Sequence, residues 1–142
     1  GNARVSGNAR VIGNARVSDN ACVFGNARVS GNACVFGNAR VSGNAWVSDN
    51  ACVFGNAWVS GNACVSGNAR VSSQIDYIVF KNWWSSGRFF TWTRSNDKWK
   101  VGCFYGSGEE LVTKAYADSV KSGKEYKRIV DYVESIKNDI KL

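Results

Sequence analysis

Histidine, proline and methionine are absent from this 142-residue chain. Without imidazole, a general base working near neutral pH would have to be a strongly shifted Glu or Lys. The lack of proline suits an uninterrupted ladder of strands. The chain opens on Gly1 rather than Met, so residues are expected to have preceded it. No apolar run approaches the roughly 18 residues of a membrane span, and no signal-like stretch opens the chain. It therefore reads as soluble and cytoplasmic, with no membrane contact. Five cysteines, Cys22, Cys34, Cys52, Cys64 and Cys103, are an odd number and include no CxxC pair. That argues against a zinc site or a disulfide framework. They read as reduced thiols acting as small apolar groups. No metal and no other cofactor is expected.

What the chain does have is one six-residue unit, Gly/Asp-Asn-Ala-x-Val-x, written twelve times without insertion from Gly1 to Ser72. A fixed period this short means a stacked repeat array. Ala-x-Val-x alternates, so Ala and Val face one way and the two variable residues the other, as in a half-buried strand. Gly-Asn or Asp-Asn then turns the chain, since both types tolerate the left-handed backbone region. Three such sides close one coil of eighteen residues, and the stretch makes four coils. At a strand spacing of about 4.8 Å, the rod would be only ~19 Å long. The invariant Asn side chains are expected to face inward and to stack coil upon coil in a hydrogen-bonded amide ladder.

Sorting the units by side places outward residues in columns. Cys34 and Cys52 fall one above the other, as do Phe36 and Phe54 on the same side. Their in-register Cβ atoms should lie ~5 Å apart, longer than a disulfide normally needs. Cys22 and Phe24 lie on another side. Trp46 and Trp58 face outward on two sides of the third and fourth coils. Arg4, Arg10 and Arg16 fill every outward fourth place of the first coil, with Arg28 and Arg40 following. The rod is thus basic at its start and more apolar outside from the second coil on. Contiguous outward aromatics mark a covered or interacting face. The C-terminal half folding back, a second copy or a foreign partner could each cover it. The first coil has no capping segment before it, which invites end-to-end pairing of two rods.

Ala two places before Val, every six residues, resembles the hexapeptide repeat of left-handed parallel β-helices. The resemblance covers half the chain and implies a triangular prism. It implies little about activity. Two enzyme groups share that repeat. The gamma-type carbonic anhydrases hold zinc with three histidines, and the acyltransferases generally use a histidine base and carry loops that break the repeat. This chain has neither the histidines nor the loops, so no catalytic residue is assigned.

From Ser73 the composition changes. Asp76 to Lys81 reads as a strand. Arg88 to Arg94 and Lys98 to Phe104 alternate around the turn cluster Ser95-Asn96-Asp97, a hairpin. Ser107 with Glu110 three residues on reads as a capping box. It opens an amphipathic helix carrying Leu111, Val112, Ala115, Tyr116 and Val120, which Ser122-Gly123 breaks. A second helix is expected from about Lys124 to Lys141, with Tyr126, Ile129, Val130, Val133, Ile136 and Ile140 on one face. The whole is mainly β: a four-coil left-handed parallel β-helix over residues 1–72, then a small α+β cap over residues 73–142 with a hairpin and two helices. The run Gly102 to Leu111, followed by Gly123 to Tyr126, is similar to a tail that follows hexapeptide arrays in uncharacterised proteins of gut bacteria and their phages. That resemblance implies a bacterial or phage origin. By analogy with small phage proteins of repetitive β architecture, it suggests an inhibitor of host defence such as an anti-CRISPR protein.

Trp83, Trp84, Trp92 and Trp99 interleave with Lys81, Arg88, Arg94, Lys98 and Lys100. Such interleaving can form a stacking platform for single-stranded nucleic acid, though alternating aromatics on a hairpin are also what a small module needs for its core. The net charge is +7, with six Arg against two Asp in the repeat half and twelve basic against nine acidic residues after it. That favours acidic partners and argues against DNA mimicry. The expectation is a non-catalytic binding protein whose rigid rod meets a protein partner, such as a host-defence nucleoprotein. Its surface candidates are Arg4, Arg10, Arg16, Arg28, Arg40, Trp46, Trp58, Phe36, Phe54, Arg88 and Arg94. Nucleic-acid binding and self-assembly into a homodimer or higher oligomer are the rival readings.

Overall fold

The structure is a computed structural model that describes residues 2–102 and 104–137. Cys103, Ile140 and Lys141, which carried expectations above, lie outside the described residues. Each hexad contributes a two-residue strand, and the twelve strands sort into three parallel sheets. The first side holds β1 (Arg4–Val5), β4 (Cys22–Val23), β7 (Arg40–Val41) and β10 (Trp58–Val59). The second holds β2 (Arg10–Val11), β5 (Arg28–Val29), β8 (Trp46–Val47) and β11 (Cys64–Val65). The third holds β3 (Arg16–Val17), β6 (Cys34–Val35), β9 (Cys52–Val53) and β12 (Arg70–Val71). Partners are always eighteen residues apart, as Arg28 and Trp46 are. The protein is a four-turn parallel β-solenoid followed by an antiparallel sheet and two helices.

The interior is the Ala–Val alternation made solid. From Ala21 to Val71 every Ala and Val of the repeat is essentially without solvent contact. A β-branched residue and a methyl fill a narrow prism, and no larger side chain would fit there without displacing the opposite sheet. At the first coil Val5 is 48% exposed, because its inner face is covered from one direction only.

The corners carry the turn. Gly7 sits at φ +65° and Asp19 at +58°, the left-handed region that closes each side. Coils approach so closely here that a Cβ on Gly7 would meet the Gly25 backbone at 3.1 Å. Asp replaces Gly at two corners and uses its side chain to hold the next coil. Asp19 Oδ2 accepts from Gly37 N–H at 3.2 Å, and Asp49 Oδ2 from Gly67 N–H at 3.1 Å.

The asparagine ladder is present, but its location corrects the expectation. Asn8 donates to Asn26 at 3.3 Å and Asn26 to Asn44 at 3.4 Å, with parallel columns at Asn20–Asn38–Asn56 and Asn32–Asn50. These amides are exposed at the corners rather than turned inward. The prism has room only for Ala and Val, so the amides stack along the rod's ridges.

After β12, a 3-10 turn (Gln74–Asp76) leads into a four-stranded antiparallel sheet of β13 (Tyr77–Lys81), β14 (Phe89–Thr93), β15 (Lys98–Val101) and β16 (Phe104–Gly106). The expected hairpin is its β14–β15 pair. The run expected as one strand to Phe104 instead reverses after Gly102, at φ +55°, and adds β16. The sheet is a middle layer. Phe90 and Trp92 of β14 join the core beneath the helices, while Thr91 on the opposite face reaches the rod. Tyr77 and Val79 pack on the valine core of the solenoid.

The sheet also closes the rod's last edge, which would otherwise expose unpaired backbone groups. One side chain serves each side. Tyr77 Oη donates to the Trp58 carbonyl at 2.7 Å, Thr91 Oγ1 accepts from Cys64 N–H at 2.9 Å, and Ser95 Oγ accepts from Arg70 N–H at 2.8 Å. Asp76 clasps the junction. Its carboxylate accepts from the Ser72 and Ser73 amides at 2.9 and 3.1 Å and pairs with Arg94 at 3.0 Å.

The helices are α1 (Gly108–Asp118) and α2 (Val120–Ile136). The Ser107–Glu110 capping box forms as the sequence suggests, with both bonds near 3 Å (3.1 and 2.9 Å). The break between helices is at Ser119, not at Ser122-Gly123. Ser119 caps α2 by accepting from Ser122 N–H at 3.1 Å. Gly123 lies inside α2, where a Cβ would collide with the Tyr116 ring, so its small size sets the helix–helix contact.

Asn26 both accepts and donates in its column, whereas exposed Ser18 makes no side-chain bond among the described residues. Asn26→Ala should therefore cost about 1 kcal/mol, a fall of about 3 °C in the thermal midpoint. Ser18→Ala should stay within about 0.5 kcal/mol. Matching melting curves for the two variants would remove the ladder from the account.

Candidate binding surface

Each fourth-place residue leaves the strand outward, and the eighteen-residue register sets it directly beside its counterparts. The first side reads Arg4, Cys22, Arg40, Trp58. The second reads Arg10, Arg28, Trp46, Cys64, and the third Arg16, Cys34, Cys52, Arg70. Neighbours in a column are about 4.8 Å apart, the distance at which a guanidinium can lie over a ring. Arg28 lies 5.6 Å from the Trp46 ring centre, Arg40 5.5 Å from Trp58, and Arg70 5.1 Å from Phe54. Each such contact contributes about 0.5–1 kcal/mol at an exposed site.

The indoles are held from a second direction. Trp46 Nε1–H donates to Ser30 Oγ at 3.2 Å and Trp58 Nε1–H to Ser42 Oγ at 2.9 Å. The sixth-place serines thus orient the fourth-place tryptophans of the next coil. Trp46 and Trp58 nonetheless remain 44% and 50% exposed. Phe36 and Phe54 stack at 5.3 Å with rings 8° apart and are half-buried by each other.

The second side is where these features converge. A groove of about 460 Å³ runs along Asn8, Arg10, Asn26 and Arg28 to Trp46. Beyond Trp46 it meets a cleft of about 710 Å³ between the rod and the sheet. Trp46 and Cys64 form one wall of that cleft, and Phe89, Arg88 and Lys100 the other, with Asp49 at the corner. Phe89 is 41% exposed and has Lys81 over its ring at 5.8 Å. The path therefore offers Arg10, Arg28, Arg88 and Lys100 against one carboxylate, with two accessible rings between them.

The remaining candidates divide. Arg4, Arg10 and Arg16 are exposed but belong to three different sides, so the structure does not gather them. Arg94 is engaged by Asp76 and serves the junction. Trp92 and Trp99 are buried in the core at 1% exposure, so they offer no face to a base. Trp84 packs edge-on to Tyr126 at 4.9 Å, and of the four only Trp83 is open, under Lys121. The tail caps the rod's end and leaves Trp46 and Trp58 on the surface, so it does not fold back over the outward aromatics. Arg70, Phe89 and Asp49 were missed as site residues, and Lys100 was named only as a cation interleaved with the tail's tryptophans. Arg70 was recoverable from its column beside Phe54. The others depend on how the sheet docks, which the repeat does not encode.

A YdcK Beta solenoid repeat family model matches residues 3–19, 15–31, 27–43 and 33–49. These matches begin at offsets that are multiples of six, as a one-hexad repeat requires. The chain is similar to that family over its first coils. No curated protein and no solved structure matches it.

The thiols of Cys52 and Cys64 are not nucleophiles in waiting. Burial pushes the Cys52 thiol up, with the neighbouring Cys34 adding to it, and burial does the same at Cys64 despite Lys100. The thiolate is the reactive form. Alkylation of both at pH 7 should be slower than that of a free cysteine, and its rate should still be rising with pH at 9.0, the ordinary value from which both are raised. Peptide mapping after timed iodoacetamide exposure checks this; rapid labelling at pH 7 would contradict it.

Proposed function

We propose that this is a non-catalytic binding protein whose second side presents a rigid, basic and aromatic path to an acidic protein partner. One observation carries the reading. Arg10, Arg28 and Trp46 run in register into a cleft where Phe89, Arg88 and Lys100 stand opposite. Tryptophan and arginine dominate binding hot spots, and their value rises when they are held in place beforehand. Here Arg28 and Ser30 fix Trp46, and the ladder fixes them all. The absence of histidine supports the non-catalytic part. The resemblance of the repeat to hexapeptide arrays, and of the tail to the segment that follows such arrays in phage and gut-bacterial proteins, supports a bacterial or phage setting. Inhibition of a host defence nucleoprotein is one role such a surface could fill. Nucleic acid is the second reading, favoured by the accessible Trp46 and Phe89 rings beside cations.

The test uses a Glu-rich peptide carrying one aromatic residue and a single-stranded oligonucleotide of equal charge. The peptide should bind with a Kd below about 1 mM. R10E, R28E and K100E combined should weaken it at least about tenfold, while R4E and R16E together leave it nearly unchanged. Tighter binding of the oligonucleotide, with a steep salt slope, would favour the second reading. Equal loss from both sets of variants would contradict the choice of side. Light scattering that shows a dimer disrupted by Trp58→Ser would move the account toward self-assembly.

A further inference from the structure

A second cavity, of about 410 Å³, lies within the tail, between the β13–β14 connection and the two helices. Its size is that of a small-molecule site. Leu111 and Ala115 of α1, both nearly fully buried, give it an apolar wall together with Val101 and Phe104. Its polar groups are arranged rather than scattered. Asn82, 4% exposed, accepts through Oδ1 from the Ser85 amide at 2.9 Å and the Ser85 hydroxyl at 3.1 Å. That fixes the orientation of its amide, which donates through Nδ2 to Tyr126 Oη at 3.4 Å. The Tyr126 hydroxyl therefore accepts from Asn82, and its own proton has no acceptor among the described residues. Burial pushes this phenol up, so it stays a neutral donor at physiological pH.

Two cations border the same space. Arg88 and Lys114 line it, and neither makes an ion pair among the described residues. Arg88 lies against Gly102, where a Cβ would collide with its guanidinium. Asp118 is the single carboxylate in the lining. A buried, oriented hydroxyl donor with two unpaired cations and an apolar wall fits one ligand chemistry: an acid group on a compact apolar body. The carboxylate Asp118 discourages a ligand with more negative charge than those cations can balance.

We propose that this cavity binds a small organic anion, a carboxylate or phosphate monoester, with its acid group on Arg88, Lys114 and the Tyr126 hydroxyl and its body against Leu111 and Phe104. The site is separate from the path on the rod, although Arg88 borders both cavities. Its test therefore avoids Arg88.

Calorimetric titration of the full chain with phenylacetate and phenyl phosphate distinguishes the two acid groups. At least one should saturate with a Kd of about 1 mM or tighter, and inorganic phosphate should bind at least about tenfold more weakly because it lacks the body. Lys114→Gln should weaken the better ligand about tenfold, and Tyr126→Phe, which keeps the ring packing, about threefold or more. Lys100→Gln, on the rod-facing cleft, should leave it unchanged. No saturable binding of either aryl ligand overturns the proposal. So does inorganic phosphate binding as tightly, affinity unmoved in both Lys114→Gln and Tyr126→Phe, or loss in Lys100→Gln. Thermal midpoints near that of the unsubstituted chain confirm that both variants are folded.

Discussion

Every feature of the rod depends on one steric constraint: a three-sided interior wide enough for a methyl and a valine, and no more. Because Ala21 to Val71 fill that space completely, each coil has no choice but eighteen residues. The register then follows for every other position. Polar amides must stack on the ridges, serines and aromatics must stand outside, and a residue's column is decided by its number. A surface normally has to hold each side chain in place separately. Here the backbone ladder sets the spacing, and neighbours such as Arg28 and Ser30 need only add the orientation of Trp46.

The constraint has a cost at the ends. A solenoid cannot satisfy its last edge with its own repeat. The tail solves this with hydroxyls rather than with another strand: Tyr77, Thr91 and Ser95 each answer one side. This leaves the sheet free to use its opposite face for the helices. Docking the sheet against Cys64 at the end of the second side also leaves the cleft lined by Trp46 and Phe89. The candidate binding surface is in this sense a by-product of capping. The same layering, with loops and helix α1 meeting beside Tyr126, forms the smaller, solvent-open cavity in the tail.

The solenoid was legible because its pattern is redundant. Twelve repetitions of Ala-x-Val fix face, period and column together, and Cys34 stands beside Cys52 as the column arithmetic requires. The Asn ladder was legible as a contact but not as a location, since periodicity shows which residues stack and not whether a prism has room for them. In the tail, the Ser107–Glu110 box was readable because its two bonds are local. The helix break was not. Ser122-Gly123 resembles a stop, yet Gly123 is needed small by Tyr116, a contact between helices that no window along the chain reveals. The binding candidates divide the same way. Arg28 and Trp46 follow from register, while Phe89 and Lys100 enter only through docking.

The most direct test of the register is a nuclear Overhauser measurement between phenylalanine rings in protein with selectively labelled Phe. Phe36 and Phe54, eighteen residues apart, stack at 5.3 Å, so their ring protons should give strong cross-peaks, with none between Phe24 and Phe36. Cross-peaks between Phe24 and Phe36, twelve residues apart, with none between Phe36 and Phe54, would mean a different coil length and would dissolve the columns on which the binding surface stands.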